Sequence, residues 1–271
     1  EKFKAVLTSR APAFTMTPRE DSDVKVASVW RTIMGYVWGN SNGDWQLKQA
    51  IHDYATTGMG YLYTYIDPES DFGRGDVKFT YVNPFRVYVS PNTRNRWFDD
   101  AEGVILSTIL TREQVISLLD TYMEEDYPDA MNNNGKKVFT PAEAKDLDYF
   151  ERNKYQVLER FYKVKVNFYR VIDMQSGEEA IFSDDEYEEF IENNREQVEA
   201  SQYQIIPVKQ TRVKVCASIG QIVLYETILN TDHYPIVPIP NVFTETPYPK
   251  SDVSRARPMQ RLLNKLWSLA L

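Results

Sequence analysis

The chain has 271 residues with 42% hydrophobic and 13% aromatic content, enough apolar material for one large core or two modest ones and too much for a disordered segment. A net charge of -8 with a pI near 5.0 argues against generic wrapping of nucleic acid, whose strength comes from neutralising phosphates. One cysteine, Cys216, and two distant histidines, His52 and His233, exclude internal disulfides and Cys-paired zinc sites and leave carboxylates as almost the only metal ligands, so no metal and no cofactor is expected.

The chain opens at Glu1 without an initiator Met and runs into a Pro/Thr/Ser-rich leader, so residues 1–20 are expected to be an N-terminal extension of a cut or processed protein. No window approaches the roughly 18 apolar residues of a membrane span, and no signal peptide is recognisable. Asp21 or Ser22 caps a first predicted helix with the stripe Val26, Val29, Trp30, Ile33 and Val37, ending near Gly39-Asn40. Asp44 caps a second, with Leu47, Ala50, Ile51, Tyr54 and Ala55 at helical spacing and Gly58 as its stop. The two form a helical hairpin.

After Gly58-Met59-Gly60 the period changes to two, and Tyr61 to Ile66 is a strand. Val77 to Val82 and Phe85 to Val89 follow, and three short strands in a row predict an antiparallel meander. Val104 to Leu110 is a fourth strand, leading into a helix that starts at the capping box Thr111-Arg112-Glu113-Gln114 and buries Val115, Leu118, Leu119 and Tyr122. A mobile insertion over residues 124–140 is expected, with Asp129 to Lys137 a surface loop around Asn132-Asn133-Asn134-Gly135 and a short helix beginning at Thr140.

Tyr155 to Ile172 reads as a long, half-exposed antiparallel strand that turns at Gln175-Ser176-Gly177. An acidic helix comes next, opened by the capping box Ser183-Asp184-Asp185-Glu186 and burying Tyr187, Phe190, Ile191 and Val198. Ile205 to Ala217 and Gln221 to Leu229 pair around Ser218-Ile219-Gly220, with Cys216 expected in the core. A proline-studded run from Tyr234 to Pro249 then leads into a last helix. There Met259, Leu262, Leu266 and Leu269 share one face while Arg257, Arg261 and Lys265 step by four along the other. Nothing local ends that helix at Leu271, so more protein is expected to follow. The class is α+β without repeats.

Signals for chemistry are sparse. Gly58-Met59-Gly60 follows a helix and precedes a strand, the reverse of a dinucleotide fingerprint, and no Gly-rich segment ends in Gly-Lys-Ser/Thr. Asp71-Phe72-Gly73 lacks the companion motifs of a kinase. The acid pairs Asp99-Asp100 and Asp184-Asp185 and the run Glu124-Glu125-Asp126 are of a kind common on loops and helix starts. The tyrosine row Tyr61, Tyr63 and Tyr65, with Lys78, Phe79 and Tyr81, reads better as a helix-covered sheet face than as a base-stacking platform. Charge is nonetheless uneven: Glu178 to Glu199 holds ten acids against Arg195, and Lys250 to Lys265 holds five bases against Asp252.

The helical pair with Gly-x-Gly entering a strand (Ala55 to Tyr65), Asn83-Pro84-Phe85-Arg86-Val87, Ser90-Pro91-Asn92 and Asp99-Asp100 together resemble the wing domain of tailed-phage portal proteins, most strongly the short-tailed-phage type. Val157 to Lys163 is similar to that family's long wing strand. Pro238-Ile239-Pro240 through Pro249-Lys250-Ser251-Asp252-Val253, then Pro258-Met259-Gln260 with Asn264 and Ser268, looks like its passage into the stem helix. Lys-Ser-Asp stands where a glycine is common at that turn, and no clip, return stem helix or crown is present.

The resemblance implies a wing-like α+β domain over 21–250 and the start of a long stem helix over 251–271. It implies a non-enzymatic, usually dodecameric ring at a capsid vertex, a virion component assembled in the host cytoplasm. Its partners would be the terminase motor, the major capsid protein, tail and connector proteins, and double-stranded DNA held non-specifically in the channel during packaging and ejection, with no membrane. On that reading Arg257, Arg261, Lys265, Gln260 and Asn264 face the channel or a neighbouring stem, and no residue is catalytic. Two alternatives compete: a metal-dependent nuclease using Asp99, Asp100 and Asp76, and a structural adaptor without a channel that docks through the Tyr234 to Pro249 segment.

Overall fold

The computed structural model describes residues 12–18, 20, 23–67, 70–111, 114–115, 154–174, 177, 179–194, 202–220 and 222–270. In chain order these form α1 (Val24–Asn40), α2 (Gly43–Thr56), β1 (Met59–Asp67), β2 (Asp76–Val82), β3 (Val87–Val89), β4 (Val104–Thr111), β5 (Lys154–Asp173), β6 (Glu179–Ser183), α3 (Asp184–Asn193), β7 (Tyr203–Ile219), β8 (Ile222–Leu229), β9 (Ile236–Pro240) and α4 (Asp252–Ala270). The class is α+β as predicted, and every described strand pairing is antiparallel.

The strands make two sheets, β2-β1-β9 and β3-β4-β5-β7-β8, with β6 paired to β5. The expected three-strand meander is therefore corrected. β1 and β2 pair as a hairpin, but after the 3-10 turn Pro84–Arg86 the chain crosses to the other sheet, where β3 pairs with β4. Asn83 fixes that turn by accepting the Phe85 amide at 2.9 Å, and Pro84 supplies the preset φ of a first turn.

β9 carries three prolines within or beside it and still closes the first sheet. Thr64 donates to the Pro235 carbonyl and Asn241 donates to the Gly58 carbonyl, each at 2.9 Å. With the register Tyr61↔Pro238 and Met59↔Pro240, those bonds place Pro238 and Pro240 at the alternate positions, where a strand nitrogen points to the open edge and needs no N–H.

The core lies between the sheets. Met59, Tyr61 and Ile236 from the first meet Val87, Val104, Leu106, Phe161, Val213 and Val215 from the second, with Phe98 and Tyr234 filling from loops. Tyr234 hydrogen-bonds the Ala101 carbonyl at 2.7 Å, and burial pushes its phenol up to about 12. A second cluster of Val115, Val157, Ala217, Ile219 and Leu224 continues along the same face of β5, β7 and β8.

The tyrosine row splits between two faces. Tyr61, Tyr63 and Tyr65 share a side with Lys78 and face the second sheet, where Tyr63 meets Phe161 at 6.1 Å. Phe79 and Tyr81 lie on the other side, under the helices: Phe79 packs on Trp38 and Tyr81 hydrogen-bonds Asp53. On that helical side Gly60 lets α2 press directly on β1, because a Cβ there would sit 2.3 Å from the Ala50 carbonyl oxygen. Ser41 and Gln46 reach down to accept the outward amides of Phe79 and Tyr81 at 3.1 and 2.8 Å, which blunts the free edge of β2.

The helical hairpin forms, with three differences. Position Asn42, in the left-handed region at φ 51°, precedes α2, and Asp44 lies inside its first turn, accepting the Trp38 indole N–H at 3.2 Å. Asp21 and Ser22 lie outside the described residues, and Asp23 precedes α1 without a side-chain cap. The predicted stripe is turned outward: Val26, Val29, Trp30 and Ile33 are exposed, and no residue of α1 is fully buried.

β5 and β7 run far past the sheet as a two-stranded arm, close to the bounds expected from sequence. Its tip carries β6, absent from the sequence reading, and α3. The capping box forms, with Glu186 accepting from the Ser183 amide at 2.9 Å, and the Ser183 hydroxyl adds a donation to the same carboxylate at 2.9 Å. Tyr187 stacks on Tyr169 at 3.8 Å, and Phe190 packs on Phe182 and Tyr203. The second capping box also forms, Thr111 donating to Gln114 at 2.9 Å. Leu118, Leu119, Tyr122, the insertion 124–140, the helix expected at Thr140, the Gln175-Ser176 turn and Val198 lie outside the described residues.

Cys216 is not in the core. Val213, Val215, Ala217 and Ile219 point inward, so Cys216 falls on the outer face, half-buried between its register partners Arg160 and Glu226. Burial pushes the thiol pKa up.

Candidate functional site

The basic row lies on α4, which leaves the body at a tightly built junction. Ser251, buried, is the N-cap: its hydroxyl accepts the Ser254 amide at 3.0 Å. Asp252 follows in the first turn, where a negative charge meets the positive end of the helix. Asn241 ties three parts together. Its amide N–H donates to the Gly58 carbonyl, and its side chain donates to the Tyr54 carbonyl at 3.2 Å and the Asp252 carboxylate at 2.8 Å.

Gly58 is the socket for this junction. It sits at φ +98°, and a Cβ there would lie 2.5 Å from the Pro249 carbonyl oxygen and 2.9 Å from the Ser251 nitrogen. The glycine missing from the Lys250-Ser251-Asp252 turn is thus supplied by the chain segment beneath it. Gly58-Met59-Gly60 serves two close backbone crossings, one at each glycine, which is why it resembles no phosphate loop.

Beyond the junction α4 has 19 residues, about 28 Å at 1.5 Å per residue, and from Val253 to Leu269 every residue is exposed. Arg257, Arg261 and Lys265 line one side, with Gln260 and Asn264 beside them joined by a 3.0 Å side-chain hydrogen bond. The predicted placement on a common face is observed. Among the described residues none of the three cations makes an ion pair. Met259, Leu262, Leu263, Leu266, Trp267 and Leu269 occupy the opposite arc. Pro258 lies inside the helix and cannot donate to the Ser254 carbonyl. The helix therefore presents two contrasting surfaces, a cationic-polar strip fit for screened phosphate contacts and an apolar strip fit for packing.

The three acids of the nuclease alternative do not converge. Asp100 is held by the Arg94 and Asn95 amides at 2.7 and 3.0 Å, which with Lys163 lower its pKa against the opposing effect of burial. Asp99 meets the His233 ring at 3.1 Å. Asp76 accepts from Tyr36 and Asn40 at 3.0 and 2.6 Å. These are the bonds of loop and helix packing, and among the described residues no cluster of His, Cys, Asp and Glu fits a metal ion. The Tyr234 to Pro249 segment of the adaptor alternative is committed internally, through β9 and the Val242–Lys250 bridge.

Two positions of consequence escaped the sequence reading. Asn241 carries no motif, and its role is visible only once Gly58, Tyr54 and Asp252 are brought together. Glu159 stands on the inward face of β5, its only partner among the described residues the Tyr225 hydroxyl at 2.6 Å. Burial pushes its carboxyl pKa up, against the Tyr225 bond, which lowers it. Its one sequence signal is an acid at an apolar phase of the strand, Val157-x-Glu159-x-Phe161.

No helix among the described residues is long and apolar enough to cross a membrane. A family model described as phage P22-like portal protein matches residues 8–271. No curated protein matches the sequence.

Proposed function

The chain belongs to the phage P22-like portal protein family, a family of capsid-associated structural proteins, and on that premise we propose that it is a subunit of the ring through which double-stranded DNA enters and leaves the capsid. Residues 21–250 would be the wing-like body and 251–271 the start of the stem, in a ring that is usually of twelve copies. The terminase motor, the major capsid protein and the tail or connector proteins would dock on it, with assembly in the host cytoplasm and no catalytic group involved.

The observation that carries this reading is α4: a long helix, anchored at one end by Ser251, Asn241 and Gly58, whose cationic and apolar strips both lack a partner within the described residues. One strip suits a neighbouring stem and the other DNA. Single contacts from Arg257, Arg261 and Lys265 are weak at physiological salt, but repetition around a ring makes them count, while the acidic body avoids clinging to DNA in transit.

The test is charge reversal. Arg257→Glu, Arg261→Glu and Lys265→Glu together are expected to leave monomer stability nearly unchanged, since all three are exposed, and to impair ring formation or DNA packaging. Unchanged assembly and packaging would refute the assignment of this face.

A further inference from the structure

The two sheets part beyond the core, and the crevice between them is divided by Tyr63 and Tyr65, whose rings stack at 5.7 Å and 14°. On one side lies a cleft of about 570 Å³ into which Glu159 faces, with Leu106 and Ser107 beside it and Thr80 and Arg86 on the opposite wall. On the other side a second cleft contains Tyr225, which reaches through to Glu159.

Glu159 is out of place by every rule of the sheet that carries it. Its same-face neighbours along β5 are Val157 and Phe161, and its cross-strand partners are Leu106 and Ala217, all apolar. A carboxylate in such a row loses hydration, and the neutral Tyr225 hydroxyl does not replace a counter-charge. The other titratable groups facing it are Tyr63 and Tyr65 from β1. Tyr63 is itself pushed up by burial and by the Glu159 charge. Arg86 also lines the cleft, and its charge acts on the Tyr81 phenol on the helical side of the sheet.

Glu159 has no counter-ion among the described residues, and a carboxylate so placed, reached through a solvent-connected cleft with stacked aromatic walls, is the complement of an ammonium group. The charge meets Glu159, the N–H groups find its second oxygen, and the polarised methylenes lie against ring faces. We propose that the cleft between the two sheets binds a primary ammonium group on a slender aliphatic chain, with Glu159 as its counter-ion and Tyr63 and Tyr65 as its walls. A neutral polyol would leave Glu159 uncompensated, and a quaternary ammonium would have no N–H to give it. Arg86 on the far wall disfavours a second cation, so the fitting ligand carries its charge at one end.

The test titrates the whole chain with butylammonium and, separately, with Nα-acetyl-lysine amide, which carries the same group as a protein side chain would. Saturable shifts of the Tyr63 and Tyr65 ring signals are expected by NMR. Affinity should fall at least tenfold in Glu159→Gln and several-fold in Tyr65→Leu, whose melting temperatures show that both are folded. Binding of only one probe with that Glu159 dependence supports the site and identifies its source as free amine or protein lysine. No saturation by either probe, equal binding by Glu159→Gln, or equal response to a neutral polyol would overturn the proposal.

Discussion

Replacing Gly58 by alanine tests the junction from which α4 rises. At φ +98° an alanine pays the left-handed penalty, roughly 1–2 kcal/mol. Its Cβ would also lie 2.5 Å from the Pro249 carbonyl oxygen and 2.9 Å from two further backbone atoms. No flexible side-chain end can swing away, so the Pro249–Ser251 turn must move bodily, at about 1–3 kcal/mol for overpacking of this kind. The sum is about 2–5 kcal/mol, or about 5–15 °C in melting temperature at this chain size. Gly35→Ala is the matched control. It lies within α1 with nothing within 4 Å of the new Cβ, and alanine there is expected to gain about 0.5–1 kcal/mol. Urea denaturation compares both with wild type, and limited proteolysis between Val242 and Lys250 reports whether the junction opens first. The reasoning is refuted if Gly58→Ala unfolds within about 0.5 kcal/mol of wild type with the junction still protected.

Three further outcomes follow from individual contacts. Ser251→Ala removes the N-cap of α4 and is expected to cost about 1 kcal/mol, read as reduced helicity and faster amide exchange at Ser254. Tyr234→Phe leaves the Ala101 carbonyl without its buried donor and should cost about 1–3 kcal/mol by chemical denaturation. For Glu159 the sign comes from burial, which raises the folded carboxyl above its ordinary value of 4.5. The folded chain then holds that proton more tightly than the unfolded one, so stability is lost as pH rises from about 4.5 through the raised folded value. Glu159→Gln removes this loss: it should melt above wild type at neutral pH and converge with it in acid, and a constant difference across that range would contradict the assignment.

Much of this architecture is legible in the sequence wherever one local signal decides. The periods of α1, α2, β1, β5, β7 and β8 and both capping boxes are read directly from spacing. What fails depends on long-range pairing. Pro235, Pro238 and Pro240 suppress every strand signal, yet the register with β1 makes the last two harmless, and no local rule reveals which phase they take. Glu179 to Ser183 is too short and too close to the acidic run to stand out as a strand. Cys216 is assigned to the core by residue type and to the outer face by the phase of Val213, Val215 and Ala217. The basic face of α4 is visible from its four-residue step, whereas Asn241 and Glu159 become meaningful only through what the fold sets against them.

The apolar arc of α4 makes its helicity a property of its surroundings. Met259, Leu262, Leu263, Leu266, Trp267 and Leu269 each keep between 49% and 77% of their surface exposed. Covering the remainder of each is worth on the order of 1 kcal/mol, or about 6 kcal/mol for the arc. An isolated helix of this length is marginal in water, and Pro258 removes one of its bonds. Joining two chains costs on the order of 4–15 kcal/mol, comparable to what covering these arcs returns, so association through α4 is concentration-dependent. Helix formation in α4 and association of copies should therefore rise together. Far-UV circular dichroism followed across a dilution series, alongside sedimentation velocity, is expected to show helix content falling as copies dissociate. A dissociated chain that keeps full helicity up to Ala270 would mean that α4 is stable by itself and that its apolar arc does not drive association.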